Sequence, residues 1–120
     1  MDTFSLREVS DVLIITIEDS SYLNDFRTNA FRDKLYDAVS GWAPNRFALD
    51  LTKVEFLSSS GVAILVGLKR RIEPKGGKLV VFGIHPVVDD LLRITRLTQF
   101  FTFAPDEAKA VALLLPVSTA

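Results

Sequence analysis

Between Phe47 and Arg71 the chain reads F-A-L-D-L-T-K-V-E-F-L-S-S-S-G-V-A-I-L-V-G-L-K-R-R. The run from Phe47 to Leu51 is short and apolar, the pattern of a buried strand. A connection bearing Val54, Phe56 and Leu57 follows, then three serines, a glycine and a strongly apolar helical segment. A strand that feeds a helix in this way points to helices packed on a sheet. It also puts Ser58, Ser59 and Ser60 where a loop becomes a helix. A helix start carries unpaired backbone N–H groups and about half a positive charge. A serine hydroxyl can cap it, and the same N–H groups bind anions. The serines therefore have two readings: a structural cap, or a place where phosphate is put on and taken off.

The alternation of short apolar runs with helical periodicity extends along the chain. Phe4 to Val9 reads as a strand with one wet face, and Ser10-Asp11 as a tight turn. Val12 to Ile17 is nearly all β-branched or apolar and reads as a strand buried on both faces, so the pair predicts an antiparallel hairpin. Phe26, Ala30, Phe31, Leu35, Ala38 and Val39 recur at helical spacing, with Asn24 or Asp25 as cap and Gly41 placed for a left-handed end. A turn through Trp42 to Asn45 leads into the strand at Arg46 to Leu51. After the serines, Ile64, Leu65, Leu68 and Ile72 share a helix face, and Lys69, Arg70 and Arg71 complement the dipole in its last turns. Pro74 to Gly77 breaks the chain. Lys78 to Phe82 is a further strand, and Pro86 opens a helix bearing Val87, Val88, Leu91, Leu92 and Ile94. Phe100 and Phe101 predict a short last strand, and Pro105-Asp106-Glu107 the start of a last helix with Ala110, Val111, Leu114 and Leu115 inward.

The expected architecture is α/β, in the order β-β-α-β-α-β-α-β-α. It has a mixed, mostly parallel sheet of four to five strands and about four helices, all in one domain spanning 1–120. Strands joined through helices pair in parallel by right-handed crossovers. Sites in such sheets gather where strands end and helices begin. Ser58 to Gly61 lies at such an edge, as does Gly83 to Pro86.

Bulk properties narrow the functions. Apolar residues make up 48% of 120, with nine phenylalanines, so disorder is not expected. Net charge is −1, which argues against direct nucleic-acid binding. Without cysteine there is no thiolate metal site, disulfide or thiol catalysis, which fits a cytoplasmic protein. The opening M-D-T-F-S-L-R-E shows no signal peptide, and no apolar run nears the ~20 residues that span a bilayer. The one histidine, His85, has no triad partners in sight. Metal-ligand spacing and the phosphate-cradling glycine motifs are absent, so no cofactor and no enzymatic activity are expected. Asp89-Asp90 diverge on a helix and read as a solvated face. Asp50 reads as a strand-end carboxylate bonded to nearby backbone. Val62, Ala63, Val66 and Gly67 are equally readable as core or as an exposed partner patch.

The stretch D-L-T-K-V-E-F-L-S-S-S-G-V-A-I-L-V-G-L-K-R-R resembles the signature of STAS domains, most closely bacterial anti-sigma factor antagonists. L-N-D-F-R-T-N-A-F-R-D-K-L-Y-D-A-V is similar to the family's first helix, and G-G-K-L-V-V-F-G-I-H-P-V-V-D-D-L-L-R-I-T-R-L to its fourth strand and third helix. The resemblance implies a partner switch. The unphosphorylated antagonist binds an anti-sigma factor, often a serine kinase; phosphorylation releases it, and a serine phosphatase resets it. The phosphoacceptor it implies is Ser59, followed by Ser60 and Gly61. The partner-binding residues it implies are Asn24, Ser58, Ser59, Ser60, Gly61 and Val62. Ser58 stands in place of the family's aspartate, the acidic residue usual near Asn24 is absent, and Arg96 stands where glycine is common. Two alternatives are a non-switching STAS subunit of a lipid-transport or stress-signalling assembly, and a small-molecule or nucleotide binder using the helix starts near Ser59 and Pro86.

Overall fold

The computed structural model describes residues 4–18, 28–42 and 45–115. Strand β1, Phe4–Val9, pairs antiparallel with β2, Val12–Ile17. Ser10 and Asp11 join them with φ of 51° and 68°. Two consecutive left-handed residues give the hairpin turn whose twist matches the flanking strands. Strands β3 (Arg46–Asp50), β4 (Lys78–Phe82) and β5 (Thr102–Ala104) follow in parallel, and the sheet runs β1-β2-β3-β4-β5. Helices α1 (Thr28–Ser40), α2 (Ser59–Ile72) and α3 (Pro86–Ile94) lie between successive parallel strands, and α4 (Glu107–Leu114) follows β5. This is the expected α/β order.

Each crossover steps one strand in the same direction. With a common right hand, all three crossover helices must lie on one face. The core shows this. Phe31 and Leu35 of α1, Leu65 and Leu68 of α2, and Val88 and Leu92 of α3 pack on Ile15, Phe47, Leu49 and Val81. The alternate residues Ile14, Ala48, Val80 and Phe82 face the other way and are covered by Ala110 and Leu114 of α4. Arg7 of β1 pairs with Glu107 at the start of α4.

Helices α1 and α2 approach closely because Gly67 has no side chain: a Cβ there would lie 2.2 Å from the Tyr36 hydroxyl. That hydroxyl donates to the Ile64 carbonyl at 2.9 Å. Burial pushes the Tyr36 pKa up, which keeps the proton on the donor. The open question about α2 resolves mostly toward core. Val62 is buried, Val66 and Gly67 are half-buried, and only Ala63 of the four is exposed.

Three expectations need correction. Gly41 is not left-handed; α1 closes instead through Trp42 N–H to Val39 O at 3.2 Å and Ser40 Oγ to Asp37 O at 2.9 Å. The last strand is Thr102–Ala104, because Phe100 and Phe101 sit in the turns that follow α3 and stack edge-to-face at 5.0 Å. The middle of β1 is exposed at successive residues, since an edge strand has a neighbour on one side only. On α3, for which the sequence assigned no inward face, Val88 and Leu92 are buried while Val87 and Ile94 are exposed. The capping role of Asn24 or Asp25 falls outside the described residues.

Two helices end in the same motif with different residues. After α2 and the short 3-10 turn Glu73–Lys75, Gly76 is left-handed at φ 82°. Its N–H bonds Glu73 O, and the Gly77 N–H bonds Ile72 O. After α3, Arg96 takes the same place at φ 60°, with its N–H on Arg93 O and the Leu97 N–H on Leu92 O at 2.8 Å. This paired bonding is the Schellman closure, which favours glycine at the left-handed position.

Two stability predictions follow from these contacts. Leu65, 1% exposed, should cost ~2–5 kcal/mol when changed to alanine, read from denaturant unfolding. A loss below about half a kcal/mol would contradict its place in the core. Arg96→Gly should raise stability by ~0.5 kcal/mol, the left-handed penalty relieved minus the extra chain entropy of glycine. Arg96→Ala should leave the unfolding midpoint nearly unchanged; a large loss there would mean that the arginine side chain, not its backbone, matters.

Candidate functional site at the start of helix α2

The loop from Leu51 to Ser58 is fixed by its apolar residues. Leu51, Val54 and Leu57 are buried, and Leu51 N–H bonds Phe82 O at 3.1 Å. With the loop anchored, Ser58 falls at the N-cap of α2 with extended φ and ψ of −82° and 173°. Its Oγ accepts from the Gly61 N–H at 3.2 Å, and its carbonyl accepts the first helical bond, from Val62 N–H at 3.0 Å. Ser58 is half-buried. Ser59 and Ser60, the first two residues of the helix, are exposed. Gly61 and Val62 are buried, and Val62 belongs to the main core. Among the described candidate residues, only Ser59 and Ser60 thus present their side chains freely to solvent. Asn24 lies outside the described residues.

The first turn of α2 holds no acidic residue. The N-terminal partial charge therefore meets a neutral hydroxyl cap, and an added anion would be welcome there. Serine caps about as well as aspartate, and it does so here without adding charge.

Beside this turn, the ends of β2, β3 and β4 are tied together by hydrogen bonds and one ion pair. Asp50 Oδ1 accepts from Thr52 N–H at 2.9 Å and from Thr52 Oγ1 at 2.7 Å, and Thr16 Oγ1 donates to Asp50 Oδ2 at 3.3 Å. Asp50 is thus a structural carboxylate. His85 Nε2 lies 2.7 Å from Thr52 O, so that nitrogen carries the proton and donates. His85 is occupied in holding the β4–α3 loop against the β3–α2 loop. Gly83, at φ 74°, is required beside them, because a Cβ would lie 2.3 Å from a Thr52 methyl. Lys53 pairs with Glu18, and with Ser5 it holds the Glu18 carboxyl below its ordinary pKa. Among the described residues no three His, Cys, Asp or Glu side chains are grouped to hold a metal ion, and no helix is long and apolar enough to cross a membrane.

Sequence reasoning missed a groove next to the serines. Phe56 and Leu57 of the loop and Val87, Asp90, Leu91 and Ile94 of α3 line a mainly apolar hollow of about 270 Å³. Phe56, Val87 and Ile94 are 54%, 59% and 79% exposed, a concentration of apolar surface beside the helix start. The signal available in the sequence was the width of the apolar stripe on α3, which exceeds what one sheet edge covers.

A family model described as the STAS domain matches residues 3–110. An anti-sigma F factor antagonist from Paenibacillus polymyxa is 27% identical over 107 residues, covering 89% of this chain and 90% of its own. Among solved structures, a candidate anti-sigma factor antagonist from Thermotoga maritima superposes with a TM-score of 0.84 at 22% identity, over 92% of this chain and 93% of that one. The anti-sigma factor antagonist SpoIIAA in its unphosphorylated form gives 0.73 at 22% identity, over 92% and 94%. The phosphorylated form of SpoIIAA from Bacillus gives 0.68 at 20% identity, over 93% and 99%. The five-stranded mixed sheet, the capped serine turn and the family match agree: this chain belongs to the STAS domain family.

Proposed function

We propose that the protein is an anti-sigma factor antagonist, a non-enzymatic cytoplasmic regulator in which residues 1–120 act as one STAS domain. Unphosphorylated, it binds an anti-sigma factor or serine kinase; phosphate on Ser59 releases it, and a serine phosphatase restores it. The observation that carries this reading is Ser59 itself: an exposed hydroxyl on the first residue of a helix whose cap is supplied by its neighbour, beside an open apolar groove. The Paenibacillus relative, named an anti-sigma F factor antagonist, and SpoIIAA, solved in both phosphorylation states, support it. The partner surface comprises Ser59, Ser60, the half-buried Ser58 and the Phe56–Ile94 groove. Gly61 and Val62 act by holding the turn.

Phosphate adds about −1.5 to −2 charge. On Ser59 that charge meets the positive end of α2, so the fold tolerates it. The bound partner must then accommodate a bulky anion over a surface that was neutral. A loss of even ~3 kcal/mol weakens a complex by more than a hundredfold.

With its cognate kinase and ATP, the protein should gain one phosphate, at Ser59, by mass spectrometry. Ser59→Ala should abolish it. Ser58→Ala should keep most of it while losing ~1 kcal/mol of stability, the usual worth of a cap. Phosphate mainly on Ser58 or Ser60 would overturn the assignment.

Ser59→Asp separates effects on the partner from effects on the fold. Melting should hold or rise slightly, since a carboxylate at this end is worth roughly 0.3–1 kcal/mol. Binding to the anti-sigma factor should fall at least about tenfold, because an unpaired charge enters the interface. Ser59→Ala should bind like the wild type and stay bound with ATP. If Ser59→Asp instead melts far lower and binding falls only with the unfolded fraction, Ser59 is a structural residue and the switch fails.

A further inference from the structure

At the opposite end of α2 a second hollow opens between α1 and α2. It has a volume of about 180 Å³. Val39, Phe47 and Ile72, all buried, supply its apolar wall. Arg70, Arg71 and Asn45 supply the polar side. We propose that this cavity binds a small carboxylate carrying an aromatic or compact apolar group.

The cations are what mark it as a site rather than a packing gap. Arg71 lies over the Tyr36 ring, its guanidinium carbon 4.3 Å from the centroid. Stacking restrains a guanidinium while leaving its in-plane N–H donors for another partner. Among the described residues no carboxylate forms an ion pair with Arg70 or Arg71, although nearby acids have partners: Asp33 has Arg32, and Glu73 has Lys69. Asp33 and Asp37 line an adjoining shallow hollow with Arg71, but neither carboxylate lines the cavity itself, where Arg70 and Arg71 are the charged groups. The negative pole of α2, which would oppose an anion, is blunted here: the Gly76 and Gly77 N–H groups bond the Glu73 and Ile72 carbonyls.

Size and lining choose the ligand. An apolar cavity of about 150 Å³ holds a benzene ring, so this one takes a single ring or its equivalent. Pockets for larger ligands run roughly 300–1,000 Å³, which excludes a nucleotide. The arginine fork matches a carboxylate with paired hydrogen bonds. The Tyr36 hydroxyl is engaged on Ile64 O, leaving the guanidinium groups and the Asn45 amide to receive the anion. At 1.5 Å per residue, this end of α2 lies about 20 Å from Ser59, so the inference stands independently of the phosphorylation switch.

The test is an amide-resolved NMR titration of the whole chain with benzoate and with phenylacetate, using benzyl alcohol as the neutral analogue. Saturable shifts are expected from residues 36–47 and 70–73, with Kd on the order of 1 mM for at least one anion and about tenfold weaker binding of the alcohol. Arg70→Gln and Arg71→Gln should each weaken the anion about tenfold with the fold retained in the spectrum, and Arg70→Lys should restore it only in part, because an ammonium lacks the paired donors. Three results would each overturn the proposal: no saturable shift with either anion, equal affinity for the alcohol, or anion binding that survives in a folded Arg70→Gln/Arg71→Gln double variant.

Discussion

The hand of the crossovers decides most of this structure. Four strands laid side by side in chain order, each joined to the next by a right-handed turn, leave α1, α2 and α3 no choice but one common face. Three helices on one face must pack against each other as well as the sheet, which explains the Gly67 opening for Tyr36 between α1 and α2. The other face would be bare without α4. That helix is short, and it settles on Ala48 and Ala104 among larger neighbours, with Asp106 capping its start through Lys109 N–H at 2.9 Å.

The same constraint gathers the loops that matter. Parallel strands all end at one edge, so the β3–α2 and β4–α3 connections emerge side by side, and the His85–Thr52 bond joins them. The serine turn inherits its rigidity from this arrangement. Val54 and Leu57 sink into the core from the loop, and Val62 sinks from the helix, so Ser59 is held between buried anchors on both sides. An exposed residue on so fixed a frame presents the same shape to every visitor, which suits recognition by shape and charge.

Much of the fold was legible from residues. The β-branched run Val12–Ile17, the cap at Ser58 and the proline at the head of α3 each express a local rule that the tertiary structure did not override. The failures share a cause. Periodicity shows which residues share a helix face but not whether anything lies across from it, so the apolar residues of α3 did not reveal that Val87 and Ile94 are surface. The closure at Gly41 was misread because glycine permits a left-handed turn without requiring one, while Arg96 adopts one against its own preference. The serine turn was found from strand-to-helix spacing and resemblance. The groove beside it was not, because it exists only when a loop and a helix distant in sequence come together.

Ser58 has a consequence for how the proposed switch is sensed. With a neutral cap, the turn carries only the partial positive charge of the helix end before phosphate arrives. Afterwards, the added charge is screened over about 8 Å at physiological ionic strength. A partner approaching from solution therefore meets nearly the same molecule in either state until it has docked over the helix end. Discrimination then lies in residence time rather than in encounter frequency, as it does for most closely related complexes. A regulator built this way is tested by each collision and retained by few.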